Sequence, residues 1–122
     1  MSRTLVLGLT LSLALSAAAH AGTRRCAPIG AAKGDRCECL VRNYGTSTDT
    51  GVSVAVSEGS NAPFVNGPTT IDAGRILASA VTVETAFGFC GCEVVGASSS
   101  SKVSLNLLPG DSGTAAAVVA CD

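Results

Sequence analysis

Residues 36–43 read RCECLVRN and residues 87–94 read FGFCGCEV, and the alternation within these two stretches decides the fold. In the first stretch Cys37, Cys39 and Val41 occupy every second position, while mostly charged residues lie between them. Successive side chains of a β-strand point to opposite faces, so this spacing predicts a strand with one buried face. The second stretch places its two cysteines on one face in the same way. All four cysteines are therefore expected to point into the core of a β-protein.

The rest of the chain continues this pattern of short alternating segments separated by turn residues. No stretch after residue 21 keeps a 3.6-residue period over three turns, which argues against helices. Turn signals such as Asn66-Gly67-Pro68 and Asp72-Ala73-Gly74 separate the segments. We predict an all-β, immunoglobulin-like β-sandwich of six to seven antiparallel strands, stapled by disulfides. The predicted strands are residues 36–43, 51–57, 75–84, 87–96, 102–108 and 114–121, with an edge strand or irregular arm at 23–32.

The first 21 residues have the features of a secretory signal peptide. Arg3 precedes an apolar run at 5–15, and Ala19-His20-Ala21 forms a small-residue cleavage site. The apolar run is too short to span a bilayer, and no later run reaches about 18 residues, so no membrane anchor is expected. We therefore divide the chain into a signal peptide, residues 1–21, and a single β-sandwich domain, residues 22–122. The domain is expected to be secreted or periplasmic.

The composition of the domain argues against most catalytic and nucleic-acid-binding functions. Cleavage removes His20, the only histidine of the chain, and with it every His-dependent nucleophile, acid–base catalyst and metal site. Nine acidic residues then face seven basic ones, a balance too close to neutral to indicate nucleic acid as a partner. We expect a protein that is not an enzyme and that holds no cofactor.

Six cysteines in a short exported chain predict three disulfides. Cys26 and Cys121 lie near the two ends of the domain and are the only cysteines outside Cys-x-Cys pairs, so we pair them with each other. Closing so long a loop contributes on the order of 4–5 kcal/mol in the chain-entropy model. The remaining four are expected to join the two Cys-x-Cys strands.

Two connectivities of these four cysteines stay open. Antiparallel neighbouring strands would pair Cys37 with Cys92 and Cys39 with Cys90, an arrangement that also sets opposite charges beside each other on the outer face. Strands that run parallel in two different sheets would pair Cys37 with Cys90 and Cys39 with Cys92. This second arrangement suits disulfide geometry better, because directly opposed residues of an antiparallel ladder hold their Cβ atoms slightly too far apart.

The two Cys-x-Cys pairs have a second interpretation as a four-thiolate metal site or a redox centre. Thiolates in an oxidising compartment normally form disulfides, and structural zinc sites usually space their ligands by two or more residues. A redox motif would be Cys-x-x-Cys at the start of a helix, which the chain lacks. We expect no metal.

Three apolar residues fall on the face opposite the cysteines, namely Leu40, Phe87 and Phe89. A solvated sheet face would carry polar residues there, so these three predict a possible interface for a protein partner. The competing interpretation is that a loop or the arm around Cys26 covers them.

The Cys39-Leu40-Val41-Arg42-Asn43 strand, the Asp72-Ala73-Gly74 turn and the Phe89-Cys90-Gly91-Cys92-Glu93-Val94 strand resemble small exported bacterial proteins with an immunoglobulin-like β-sandwich. The resemblance implies this fold but assigns no activity and no functional residues. The leading functional hypothesis is an exported, non-catalytic binding or structural module. An alternative is a secreted inhibitor of an extracellular enzyme that presents the segment 60–69 as a loop, and a Cys-ligated metal-binding protein is a third.

Overall fold

Alternating apolar residues form nine β-strands in the part of the chain that the computed structural model describes, residues 22–59, 61–110 and 114–121. The side chain of Phe87 and the predicted signal peptide, residues 1–21, lie outside this description. The strands are β1 (Thr23–Arg25), β2 (Ile29–Ala32), β3 (Arg36–Asn43), β4 (Asp49–Glu58), β5 (Phe64–Ile71), β6 (Ile76–Thr82), β7 (Phe87–Val95), β8 (Ser101–Leu108) and β9 (Ala117–Cys121).

The strands form two sheets in which every neighbouring pair is antiparallel. The five-stranded sheet has the order β1-β7-β4-β5, and β2 pairs with β7 beyond the end of β1. The four-stranded sheet has the order β6-β3-β8-β9. The two cysteine-rich strands, β3 and β7, therefore lie in different sheets.

The predicted all-β class is confirmed, but the predicted number of six to seven strands is wrong for the described residues. The arm at 23–32 forms two short strands, β1 and β2, that pair with successive parts of β7. The larger error concerns residues 64–71, which were expected to be a turn and part of an exposed loop. They form β5, a full edge strand paired with β4. The inhibitor hypothesis thereby loses most of the loop on which it depended.

Gly67 and Pro68 do not interrupt β5, because this strand lies at the edge of its sheet. An edge strand tolerates proline, whose missing N–H is not needed on the solvent side. The pairing with β4 is irregular around Val52, and Gly67 has a φ of 121° there. A Cβ at Gly67 would lie 2.4 Å from the carbonyl oxygen of Val52, so only glycine fits. Gly67, which in the sequence indicates a turn, therefore lies at a β-bulge within β5.

The core lies between the sheets and consists mainly of valines and half-cystines. The alternation of β3 and β4 is reproduced, with every second side chain buried. Leu105 is the largest fully buried side chain. The core residues are Cys37, Cys39, Val41, Val52, Val54, Val56, Ile71, Val83, Cys90, Cys92, Val94, Ala97, Val103, Leu105 and Cys121.

Asn43 organises the corner where β3 ends. Its side chain is fully buried, and its amide donates hydrogen bonds to the carbonyl oxygens of Ser47 (2.8 Å) and Ile71 (3.0 Å). Its Oδ1 accepts a hydrogen bond from the backbone N–H of Gly45 at 2.9 Å. One side chain thus satisfies three backbone groups that leave the regular ladders, which fixes the β3–β4 connection against the end of β5.

Candidate functional site

Two disulfides connect β3 to β7 and so join the two sheets through the core. Cys37 is bonded to Cys90 and Cys39 to Cys92, with Cα–Cα distances of 5.4 and 5.7 Å. Of the two connectivities left open by the sequence, the pairing across sheets is confirmed and the antiparallel one is wrong. The physical reason is that β3 pairs with β6 and β8, and never with β7.

The third disulfide is the predicted one between Cys26 and Cys121, with a Cα–Cα distance of 4.4 Å. It links the segment between β1 and β2 to β9, and so ties the edge of one sheet to the edge of the other. The sulfurs of Cys26, Cys92 and Cys121 all lie within 4.8 Å of one another, the spacing of a three-ligand metal group. Each of these sulfurs is already bonded in a disulfide, so the group offers no thiolate to a metal.

The predicted interface residues do not share one surface. Leu40 lies on the outer face of the four-stranded sheet, the face turned away from the other sheet, whereas Phe89 lies on the outer face of the five-stranded sheet. The side chain of Phe87 is outside the described part of the structure. The expectation of one patch is therefore wrong for Leu40 and Phe89, because the whole sandwich separates them. The arm around Cys26 also leaves Phe89 uncovered, since β2 pairs beside β7 and places Gly30 next to it.

On the outer face of the five-stranded sheet, we call the area formed by Phe89, Gly91, Val65 and Val95 the Phe89 surface. The side chain of Phe89 is 63% exposed, and Val65 and Val95 are also exposed. Gly91 lies two residues from Phe89 on the same face and opens a depression of about 300 Å³. Its lining includes Ala55, Ser57, Pro63 and Gly91, with the Arg25–Glu93 ion pair (2.8 Å) at one side.

On the outer face of the four-stranded sheet lies a second area, which we call the Leu40 surface. It is formed by Glu38, Leu40 and Arg42 of β3 with Ile76 of β6 and Lys102 of β8. Arg42 stands directly opposite Ile76 on one neighbouring strand and Lys102 on the other. The guanidinium of Arg42 lies 4.9 Å from the centre of the Tyr44 ring. A depression of about 450 Å³ lies on this surface, and its lining is Leu40, Arg42, Tyr44, Ile76, Lys102, Val103, Ser104 and Ala120.

Alternation along residues 36–43 predicts Glu38, Leu40 and Arg42 on this face, but it does not predict Ile76 and Lys102 beside them. Which residues of β6 and β8 stand beside them depends on strand order and register, which alternation does not specify.

A buried polar network at one end of the sandwich was also missed. Oδ2 of Asp49 accepts hydrogen bonds from the Ser101 hydroxyl (2.6 Å) and the Ser98 backbone N–H (3.1 Å). Arg24 donates to the carbonyl oxygens of Ser98 and Ser101. Burial raises the pKa of Asp49, but these hydrogen bonds and the charge of Arg24 outweigh it and hold the pKa below its ordinary value. The serine run at 98–101 has the composition of a solvated loop, yet Ser101 is fully buried and begins β8.

In the described part of the chain, no helix has the length and apolar character needed to cross a membrane. Comparison with protein-family models, with curated proteins and with solved structures finds no match for this chain.

Proposed function

We propose that the protein is an exported, non-catalytic module that binds a protein partner through the Phe89 surface. Two features support export. Residues 1–21 have the pattern of a secretory signal peptide, and three disulfides in a small β-fold are typical of oxidising compartments. The resemblance to small exported bacterial β-sandwich proteins agrees with this compartment.

The proposal of a non-catalytic role rests on the side chains that residues 22–122 contain. They include no histidine, and all six cysteines are bonded in disulfides, so neither an imidazole base nor a free thiol is present. Several carboxylates accept hydrogen bonds within the domain and so stabilise its fold. Glu58, for example, is buried and accepts a hydrogen bond from the backbone N–H of Glu84 at 2.9 Å.

The observation that carries the binding proposal is the exposed phenyl ring of Phe89 beside the depression at Gly91. An aromatic side chain held on a rigid strand loses little conformational freedom on binding, and aromatic residues are prominent among interface hot spots. The depression of about 300 Å³ has room for an apolar side chain of a partner, and Ser57 and Gly91 are among its lining residues. The Arg25–Glu93 ion pair supplies a polar rim.

Site-specific photo-crosslinking tests this proposal. A photoreactive phenylalanine analogue is placed at position 89 and, as a matched control, at position 64. Phe64 is similarly exposed at 56%, but it pairs with the inward-facing Val56 and so points away from the Phe89 surface. The labelled proteins are added to the culture medium of the source cells and to a periplasmic extract of the same cells.

We expect position 89, and not position 64, to yield one dominant protein adduct. Excess unlabelled wild-type protein should suppress it, whereas excess Phe89→Ser protein should not. Identical adducts at the two positions, or equal competition by Phe89→Ser, would overturn the proposal.

A further inference from the structure

We propose that two copies of this chain associate through the Leu40 surface, with β3 of one copy lying antiparallel across β3 of the other. The charge order along the outward side of β3 carries this inference. Glu38 lies two residues before Leu40 and Arg42 two residues after it, so each stands about 7 Å from Leu40 on the same face. A two-fold axis through Leu40, in the interface and perpendicular to β3, brings Glu38 of each copy over Arg42 of the other.

This arrangement is self-complementary, as an interface between two identical copies must be. In the register of β3 with β8, Asn106 stands beside Glu38 and Lys102 beside Arg42. One end of the surface is therefore cationic, while the other carries a carboxylate and an amide. The amide of Asn106 donates to Glu38 Oε1 at 3.3 Å and holds that carboxylate on the face. A two-fold axis parallel to β3 would instead place cations over cations, so the charges select the antiparallel crossing.

In a single copy of the chain, the two cations of this surface repel each other. Arg42 and Lys102 are like charges directly opposite each other on adjacent strands, which is destabilising. Among the described residues the ion pair within bonding distance is Arg25–Glu93, on the other sheet, and no described carboxylate pairs with Arg42 or Lys102. A second copy supplies Glu38 at the required place.

The apolar side chains of the surface complement one another under the same axis. Ile76 stands beside Arg42, and Ala80 stands beside Glu38, on the edge strand β6. The axis therefore places the exposed Ile76 of each copy over the small Ala80 of the other, and Ala78 over Ala78. Large side chains over small ones allow two sheets to stack closely, as in a β-sandwich core.

The size of the face indicates a reversible dimer. The strands β6, β3, β8 and β9 have 7, 8, 8 and 5 residues, and at about 3.3 Å per residue and about 4.8 Å between strands they cover roughly 450 Å². Two copies would bury about 900 Å² in total, an area typical of weak, transient protein interfaces. We therefore expect association that depends on protein concentration.

Analytical ultracentrifugation of the mature chain, residues 22–122, over a range of concentrations tests this inference. Glu38→Arg and Arg42→Glu should each raise the dissociation constant at least about tenfold, because each places like charges over one another twice per dimer. The double variant E38R/R42E should restore association, since the exchanged charges again face each other across the axis. Glu38→Gln, which keeps an acceptor for Asn106, separates the loss of charge from a loss of fold. Thr70→Arg, at an exposed position of β5 in the other sheet, is the control and should leave the dissociation constant unchanged.

A chain that stays monomeric at millimolar concentration would overturn the inference, as would a double variant that associates no better than the single ones. A dimer disrupted by Phe89→Ser but not by Arg42→Glu would place the interface on the other sheet and also overturn it. None of these outcomes bears on the crosslinks expected at position 89, so the two proposals fail independently.

Discussion

Replacing both Cys26 and Cys121 with serine is expected to lower the free energy of unfolding by about 4 kcal/mol without changing the fold. Their disulfide spans 95 residues of sequence, which alone gives nearly 5 kcal/mol in the chain-entropy model. The other disulfides shorten the loop that it closes. From Cys26 the chain runs 11 residues to Cys37, crosses to Cys90, and runs 31 residues to Cys121. A loop of about 42 residues corresponds to about 4 kcal/mol.

The native sheets should survive this loss, because two disulfides still join them through the core. A small domain has a total stability of about 5–15 kcal/mol, so the effect is large and measurable. Both cysteines are replaced together because a single Cys121→Ser change would leave a Cys26 thiol within 4.8 Å of the Cys92 sulfur. Attack on Cys92 would expel Cys39 and exchange one disulfide for another.

Urea unfolding under non-reducing conditions, followed by circular dichroism, measures the effect. We expect the folded spectrum to match that of the wild type, the midpoint to fall, and the m-value to rise as the denatured chain expands. Peptide mapping establishes that Cys37–Cys90 and Cys39–Cys92 remain intact. With those bonds intact, a loss smaller than about 1 kcal/mol would refute the chain-entropy reasoning for this disulfide.

Four further substitutions probe single features of the structure. Because the pKa of Asp49 is lowered in the fold, its charge stabilises the protein above the ordinary carboxyl pKa near 4, and this stabilisation is lost as pH falls. In Asp49→Asn, the free energy of unfolding measured in urea should therefore fall less steeply between about pH 5 and pH 2 than in the wild type. Asn43→Ala leaves three backbone groups without partners and should cost about 2–4 kcal/mol in the same assay. Gly67→Ala should cost more than about 2 kcal/mol, and a near-neutral result would contradict the bulge in β5. Phe89→Ser should cost less than about 2 kcal/mol, since the ring is mostly exposed, and a larger fall in melting temperature would show that Phe89 is structural.

The strands that line the core were the most predictable part of the fold. The predicted boundaries of residues 36–43 coincide with β3, because valines and cysteines at every second position reflect burial directly. The strand at 64–71 was missed because Asn66-Gly67-Pro68 has the composition of a turn. Only the position of that strand at a sheet edge makes the same residues acceptable, and edge position is a property of the whole topology.

The candidate surfaces were predictable only in part, for a related reason. Alternation places Leu40 and Phe89 on outward faces, and the structure agrees. It does not reveal that β3 and β7 belong to different sheets, so the two residues were assigned to one patch. The same long-range information decides the pairing of the Cys-x-Cys cysteines, which local spacing left open.

The described aromatic side chains lie outside the core, and the two sheets approach each other closely at the points where disulfides join them. Packed sheets are usually about 10 Å apart, whereas the disulfide-bonded Cα atoms of β3 and β7 approach to less than 6 Å. Such a gap suits valine and half-cystine but not a phenyl ring. The described aromatic side chains, Tyr44, Phe64 and Phe89, are all more than half exposed. Exclusion from the core does not explain their presence, since polar residues would suit a solvated face better. We propose that contact with another molecule explains it, and the two outer faces offer different chemistry for that purpose: an aromatic ring beside a depression on one sheet, and a charge pattern that complements itself on the other.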